Sequence, residues 1–137
     1  MKTTPETLIQ KAADLIKKRY NPDIYKHHTV VAAAVLSKSG KIYTAINAGT
    51  YQPSIATCAE IIAIGMGNTA EKDFEVDTIV AVRDVPPYPI SPCGKCREYI
   101  SDYGPKAKVV MPADNKKGWQ VVKIADLIPG KYTKKEK

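Results

Sequence analysis

Three cysteines and one glutamate stand where they could do chemistry together: Cys58-Ala59-Glu60, then Pro92-Cys93-Gly94-Lys95-Cys96-Arg97. Three thiolates can hold a zinc ion and leave its fourth position open, and a carboxylate two residues past the first ligand can reach whatever fills that position. Such a carboxylate can take a proton from water and hand it on to a substrate. A metal-held water beside an uncoordinated acid describes hydrolytic chemistry. Metal ligands are expected at Cys58, Cys93 and Cys96, with the proton-transferring group at Glu60.

Other readings of the same residues remain open at this level. Cys93-x-x-Cys96 alone would suit a redox dithiol or structural zinc. A redox pair leaves Cys58 unexplained, and structural zinc needs a fourth protein ligand. The only histidines, His27 and His28, precede the first strand without a matching partner spacing. Cysteines also pack as small inert hydrophobes, although that does not account for all three falling in one pattern. Glu60 fits a capping box with Thr57 as well as catalysis. Arg97 could restore positive potential beside three thiolates, whose charge exceeds that of the ion, or could simply lie on a helix surface.

The elements around these residues follow from hydrophobic spacing. Leu8, Ala12, Leu15 and Ile16 predict an amphipathic helix from Pro5 to about Arg19, ended by Asn21-Pro22. Val30–Leu36 and Lys41–Asn47 read as antiparallel strands joined by Ser37-Lys38-Ser39-Gly40. Ala48–Ala56 has no period and reads as a loop passing near the metal. Thr57 is the expected N-cap of a second helix, with Cys58 in its first turn. Asp77–Val82 predicts a buried strand, followed by a stiff loop at Pro86-Pro87-Tyr88-Pro89. A third helix is expected over Cys93–Tyr103, then strands at Lys106–Met111 and Trp119–Val122 and a helical turn at Ile124–Ile128. Helices alternating with strands, one pair of them a hairpin, predict an α/β fold with a mixed, roughly five-stranded sheet.

At 137 residues the chain suits one domain, taken as residues 1–130 with a lysine-rich tail at 131–137. Its hydrophobic fraction of 44% argues against extended disorder. No stretch resembles a signal peptide or approaches membrane-spanning length, so the expected compartment is the cytoplasm. Three cysteines, all inside the motif, argue against a disulfide framework. The net charge of +7 admits a nucleic-acid partner, but Lys116, Lys117, Lys131, Lys134, Lys135 and Lys137 read as solvated loop and tail lysines. One Trp and one Phe make a poor platform for stacking bases, so neither a membrane nor a nucleic acid is the expected partner.

At these residues the chain resembles the cytidine deaminase family, the small zinc enzymes acting on free nucleosides, which includes blasticidin-S deaminase. The likeness runs from Val31–Leu36 through Ser39-Gly40-Lys41-Ile42-Tyr43, Asn47, Cys58-Ala59-Glu60 and Ile90–Arg97 to Leu127-Ile128-Pro129-Gly130-Lys131-Tyr132. The resemblance implies a three-layer α/β/α sandwich, a Zn2+ cofactor, a nucleoside substrate and a homotetramer whose subunits help to close each other's sites. It also implies that Asn47 meets the sugar, that backbone groups of Ala59 and Ser91 face the base, and that Tyr132 covers a neighbour's pocket.

Two departures bear on the substrate. Ribose-binding members carry Asn-x-Glu, whereas this chain has Asn47-Ala48-Gly49, and Gly49 has no side chain with which to hold a hydroxyl. Blasticidin-S deaminase likewise lacks that glutamate, although the interval from Asn47 to Cys58 has the length of ordinary cytidine deaminases. Tyr51, Gln52 and His28 are candidates for a remodelled sugar side. The arginine common after the catalytic glutamate is Ile61 here, which removes one cation near the thiolates and leaves Arg97 as the remaining candidate. A polynucleotide deaminase and a non-catalytic zinc protein stand as the other function classes.

Overall fold

The computed structural model describes residues 2–23, 29–86 and 88–134. Helix α1, Pro5–Arg19, starts where Thr4 accepts a hydrogen bond from the Thr7 N–H at 3.2 Å, with proline in its first turn. It ends with Lys17, Lys18 and Arg19 against the negative end of its dipole. Leu8, Ile9, Ala12, Ala13 and Ile16 form its buried stripe.

The sheet is mixed. Strands β1, Ala32–Ser37, and β2, Ile42–Ile46, form the expected hairpin, with Gly40 at φ 93 supplying the left-handed turn conformation. The other strands are β3, Val76–Val82, β4, Pro89–Ile90, β5, Lys108–Pro112, and β6, Trp119–Lys123. The order is β2-β1-β3-β5-β6, with β4 pairing to β3. Only β3 and β5 run parallel; the other pairs are antiparallel. The five expected strands are present within a residue or two, and β4 adds a short sixth.

Alternation along β1 divides the core into two. Ala32 and Ala34 pack with Val80, Val82 and Val110 beneath α1. Ala33 and Val35 face the opposite side, where helices α2, Ala59–Ala70, and α3, Gly94–Tyr103, cover Ile79 and Val109 with Ala63, Ile64 and Ile100. The result is the anticipated three-layer α/β/α sandwich. At the end of α3, a Cβ on Gly104 would lie 2.5 Å from the Val76 carbonyl oxygen, so only glycine lets α3 close onto β3. A 3-10 turn at Ile124–Leu127 follows β6, and Ile124 donates its N–H to the Ala107 carbonyl at 2.9 Å.

Lys131 departs from the solvated-tail reading. Its ammonium donates to Ser101 Oγ at 2.6 Å and pairs with Asp102, fastening this segment to α3.

Candidate active site

The three sulfurs converge because two helices begin at the same place. Cys58 is the N-cap of α2 and Cys93 that of α3, while Cys96 lies fully buried in the first turn of α3. Neither cap is made by a side chain. Both helices therefore bring the positive ends of their dipoles to the sulfurs, a contribution that favours thiolates and that burial opposes.

The sequence placed the cap of α2 at Thr57, with Glu60 completing a capping box. That expectation fails because the Thr57 backbone is committed elsewhere. Its N–H donates to the Ala48 carbonyl at 2.9 Å, and its carbonyl accepts from the Ala48 N–H at 3.0 Å. The chain turns into the helix one residue later, at Cys58. Glu60 is thereby released from capping and sits buried, 4% exposed, in the first turn of α2.

The ligand atoms of Cys58, Cys93 and Cys96 all lie within 4.8 Å of one another, with Cys58 and Cys93 Sγ 3.9 Å apart. A tetrahedral zinc ion with sulfurs at about 2.3 Å spaces them at about 3.8 Å, so the cluster fits that ion with little movement. The cysteines are free thiols, and 3.9 Å is far beyond a disulfide bond. His27 and His28, the candidate extra ligands, lie outside the described residues.

Burial pushes the Glu60 carboxyl above the ordinary glutamate range, against the pull of its own backbone N–H and the Cys96 thiol. Burial also raises the Cys58 thiol, and it raises that of Cys96 far more, with the Glu60 charge adding to the effect. At Cys93 burial works upward too, but the Cys96 N–H and the two neighbouring thiols outweigh it and leave this thiol lowered. Cys93 is the sulfur readiest to ionise.

A cavity of about 190 Å³ opens beside the cluster, lined by Cys58, Glu60 and Cys93 together with Asn47, Ala59 and Ser91. The site residues expected from sequence thus meet in one place, except Cys96, which is buried behind it, and Tyr132, which is 81% exposed and is not among its lining residues. Asn47 lines the cavity while its side chain pins the approach to β1: Oδ1 accepts from the Val31 N–H at 3.0 Å and Nδ2 donates to the Thr29 carbonyl at 2.9 Å. Tyr51 is exposed and lines no part of the cavity, and neither does Gln52; His28 lies outside the described residues. A cavity of about 610 Å³ between the start of α1 and the sheet is larger, but it is lined by Lys2, Lys38 and Lys108 and contains no thiol. Chemistry, and not size, locates the site.

Sequence reasoning missed the walls at Val31, Ala56 and Ile90. Ile90 reaches the cavity because β4 pairs with β3, matching Ala81 to Ile90 and Val82 to Pro89. It also missed the work of Arg97, whose guanidinium donates to the Pro92 carbonyl (Nε, 3.0 Å), Ser91 Oγ (Nη2, 2.8 Å) and the Leu127 carbonyl (Nη1, 3.1 Å).

Comparison with known proteins gives a consistent result. Residues 2–112 match the profile of the cytidine and deoxycytidylate deaminase zinc-binding region. A blasticidin-S deaminase of Bacillus cereus is 41% identical over 139 aligned positions, spanning 93% of this chain and 91% of that protein. A cytidine deaminase of Sporosarcina psychrophila is 29% identical over 107 positions, 77% of this chain and 76% of that one. Among solved structures, cytidine deaminase from Burkholderia pseudomallei aligns with a TM-score of 0.76 at 27% identity, covering 95% of this chain and all of that one. The enzyme from Mycobacterium leprae aligns at 0.75 and 25%, covering 93% and 99%.

Proposed function

The chain belongs to the cytidine and deoxycytidylate deaminase family, a zinc-dependent hydrolytic deaminase by that membership, and from this premise we propose that it acts on a free cytosine nucleoside, releasing ammonia and a uridine-type product. The observation that carries the proposal is the burial of Glu60, freed from capping, in one small cavity with the cysteine cluster.

Zinc held by Cys58, Cys93 and Cys96 would polarise water and lower the pH at which it becomes nucleophilic. Glu60 takes a proton from the attacking water and passes it to the ring nitrogen beside the reacting carbon. It then conveys a second proton to the departing amine. A carbon–oxygen bond forms and the carbon–nitrogen bond breaks, leaving a ring carbonyl and ammonia. A carboxylate whose proton affinity is raised by burial takes up a proton more readily than a solvated glutamate, which suits this work.

At about 190 Å³ the cavity is smaller than the roughly 300–1,000 Å³ typical of drug-sized ligands, which suits a single ring with its sugar toward the mouth. Backbone groups of Ala59 and Ser91 would face the base, and Asn47 the sugar. The assembly that fits is a homotetramer in which Tyr132 of one subunit reaches a neighbouring pocket. Three free thiols suit a cytoplasmic setting, and the proposed activity suits a role in pyrimidine salvage.

A second reading, deamination of the cytosine nucleoside antibiotic blasticidin S, is favoured by Gly49 and by the 41% identity to the Bacillus cereus protein. Ammonia release from cytidine, deoxycytidine and blasticidin S, measured in parallel, decides between them. Turnover of the first two at comparable or higher kcat/KM supports nucleoside salvage; turnover of blasticidin S alone supports the second reading. Inertness toward all three would overturn both.

A further inference from the structure

Arg97 lies one residue after Cys96, yet its guanidinium bonds to no sulfur. It spans two segments far apart in the chain. One is the cavity wall at Ser91 with the adjoining Pro92, held through Nε to the Pro92 carbonyl and Nη2 to Ser91 Oγ. The other is the carboxy-terminal turn, held through Nη1 to the Leu127 carbonyl, 30 residues away. The planar fork of arginine can satisfy these three divergent acceptors at once; a lysine ammonium on a flexible stem cannot hold the same geometry.

Each end of this span is fixed by something else. The Ser91 side follows β4, which pairs with β3, and leads into Cys93, whose carbonyl accepts the Arg97 N–H at 2.9 Å. The Leu127 side is continuous with Lys131, which is fastened to Ser101 and Asp102. Arg97 is therefore the joint at which the docking of residues 124–131 meets the wall of the cavity. The bonds to the Pro92 and Leu127 carbonyls are half-buried and so less screened than surface pairs, while that to Ser91 Oγ is exposed.

We propose that Arg97 is a positioning residue, fixing the Ser91-Pro92 wall against the carboxy-terminal segment so that affinity for the substrate ring depends on how that segment is docked. The inference rests on the cytosine-nucleoside reading for its substrate, but the structural coupling stands apart from it. The wall holds substrate and transition state alike, so loosening it should act on KM more than on kcat.

The test compares zinc-loaded wild type with Arg97→Met and Arg97→Lys, using cytidine as substrate and hydrogen–deuterium exchange as a second readout. R97M is expected to keep its zinc stoichiometry, to raise KM about tenfold and to change kcat by less than about threefold. Exchange should quicken at residues 90–93 and 124–129 together, while α1 is unchanged. R97K should fall between the two, and should R97M not fold, R97K carries the test with the same signs. Added guanidinium at low millimolar concentration should lower the KM of Arg97→Ala, whereas sodium chloride at equal ionic strength should not. Loss of zinc, an unchanged KM in both variants, or faster exchange in only one of the two segments would overturn the proposal. A wild type that does not turn over cytidine would instead strike the substrate reading, leaving the exchange experiment to judge the coupling.

Discussion

Ala48 and Thr57 exchange backbone hydrogen bonds, Ala48 N–H to the Thr57 carbonyl at 3.0 Å and Thr57 N–H to the Ala48 carbonyl at 2.9 Å. This bridge closes the loop between β2 and α2 and brings Asn47 and Gly49 close in sequence to one end of it, with Cys58 next to the other. Sugar-side and metal-side residues are thus set against each other by main chain alone. Gly49 is not among the glycines with positive φ, so a side chain there is compatible with the backbone.

Substrate discrimination should consequently respond to Gly49. Wild type is expected to distinguish cytidine from analogues lacking a ribose hydroxyl by less than about tenfold, because no side chain at this position is left unpaired when the hydroxyl is missing. Gly49→Glu should shift the kcat/KM ratio toward cytidine. A ratio unmoved by the substitution would show that the sugar is held elsewhere.

Glu60→Gln preserves the shape of the buried side chain and removes its ability to carry protons. Turnover should fall by about 10²–10⁴-fold, with zinc content and thermal midpoint close to wild type. Metal analysis alongside an ammonia assay checks both halves, and full activity would remove Glu60 from the reaction.

Zinc uptake should release protons. Burial raises the thiols of Cys58 and Cys96, so in the metal-free protein near neutral pH these sulfurs are protonated, while Cys93 is lowered and ionises first. Ligation requires thiolates, so apparent affinity must weaken as pH falls. Calorimetric titration in buffers of different ionisation enthalpy should give more than one proton released per ion. A value near zero would mean that the thiols are already ionised.

At the opposite end of α2, Tyr43 donates to Glu71 Oε2 at 2.6 Å and Ser37 to Oε1 at 3.0 Å. The Tyr43 hydroxyl, ahead of the serines and Lys41, holds the Glu71 carboxyl below its usual range, despite a weaker upward pull from burial. The folded state therefore binds this proton less readily than the unfolded chain. The stabilisation is complete above the ordinary glutamate value of about 4.3 and is lost as pH drops through the folded value. Urea midpoints measured from pH 6 downward should decline less steeply for Glu71→Gln than for wild type; parallel curves would count against the assignment.

Gly67 faces Phe74 so closely that an added Cβ would sit 2.2 Å from ring carbon Cε1. The ring is wedged edge-on against Tyr43, at 6.0 Å between centroids, and lies 6.4 Å from Tyr103. Gly67→Ala should cost about 1–3 kcal/mol, read as a lower urea midpoint. An unchanged midpoint would mean that Phe74 moves aside freely.

Much of this was legible in the sequence because the informative signals were local. Apolar spacing located α1 to the residue, and Ser37–Gly40 located the hairpin. The sulfur and glutamate spacing pointed to Cys58, Glu60 and Cys93, which share one cavity, and to Cys96, which clusters with the other sulfurs. What was hidden was pairing across the chain. Thr57 looked like a cap because spacing cannot reveal that Ala48 claims its backbone. β4 is two residues long beside a run of prolines, too short to have a period. Arg97 and Lys131 take their meaning from partners roughly 30 positions away, and a lysine near a chain end reads the same whether solvated or fastened.

All three cysteines of the sequence belong to the cluster. A colorimetric thiol reagent applied to the native protein therefore has no background elsewhere in the chain: every equivalent consumed reports an unprotected site sulfur. Conversely, a fluorophore meant for any other location must be introduced through a different side chain, or it will poison the centre it was meant to watch.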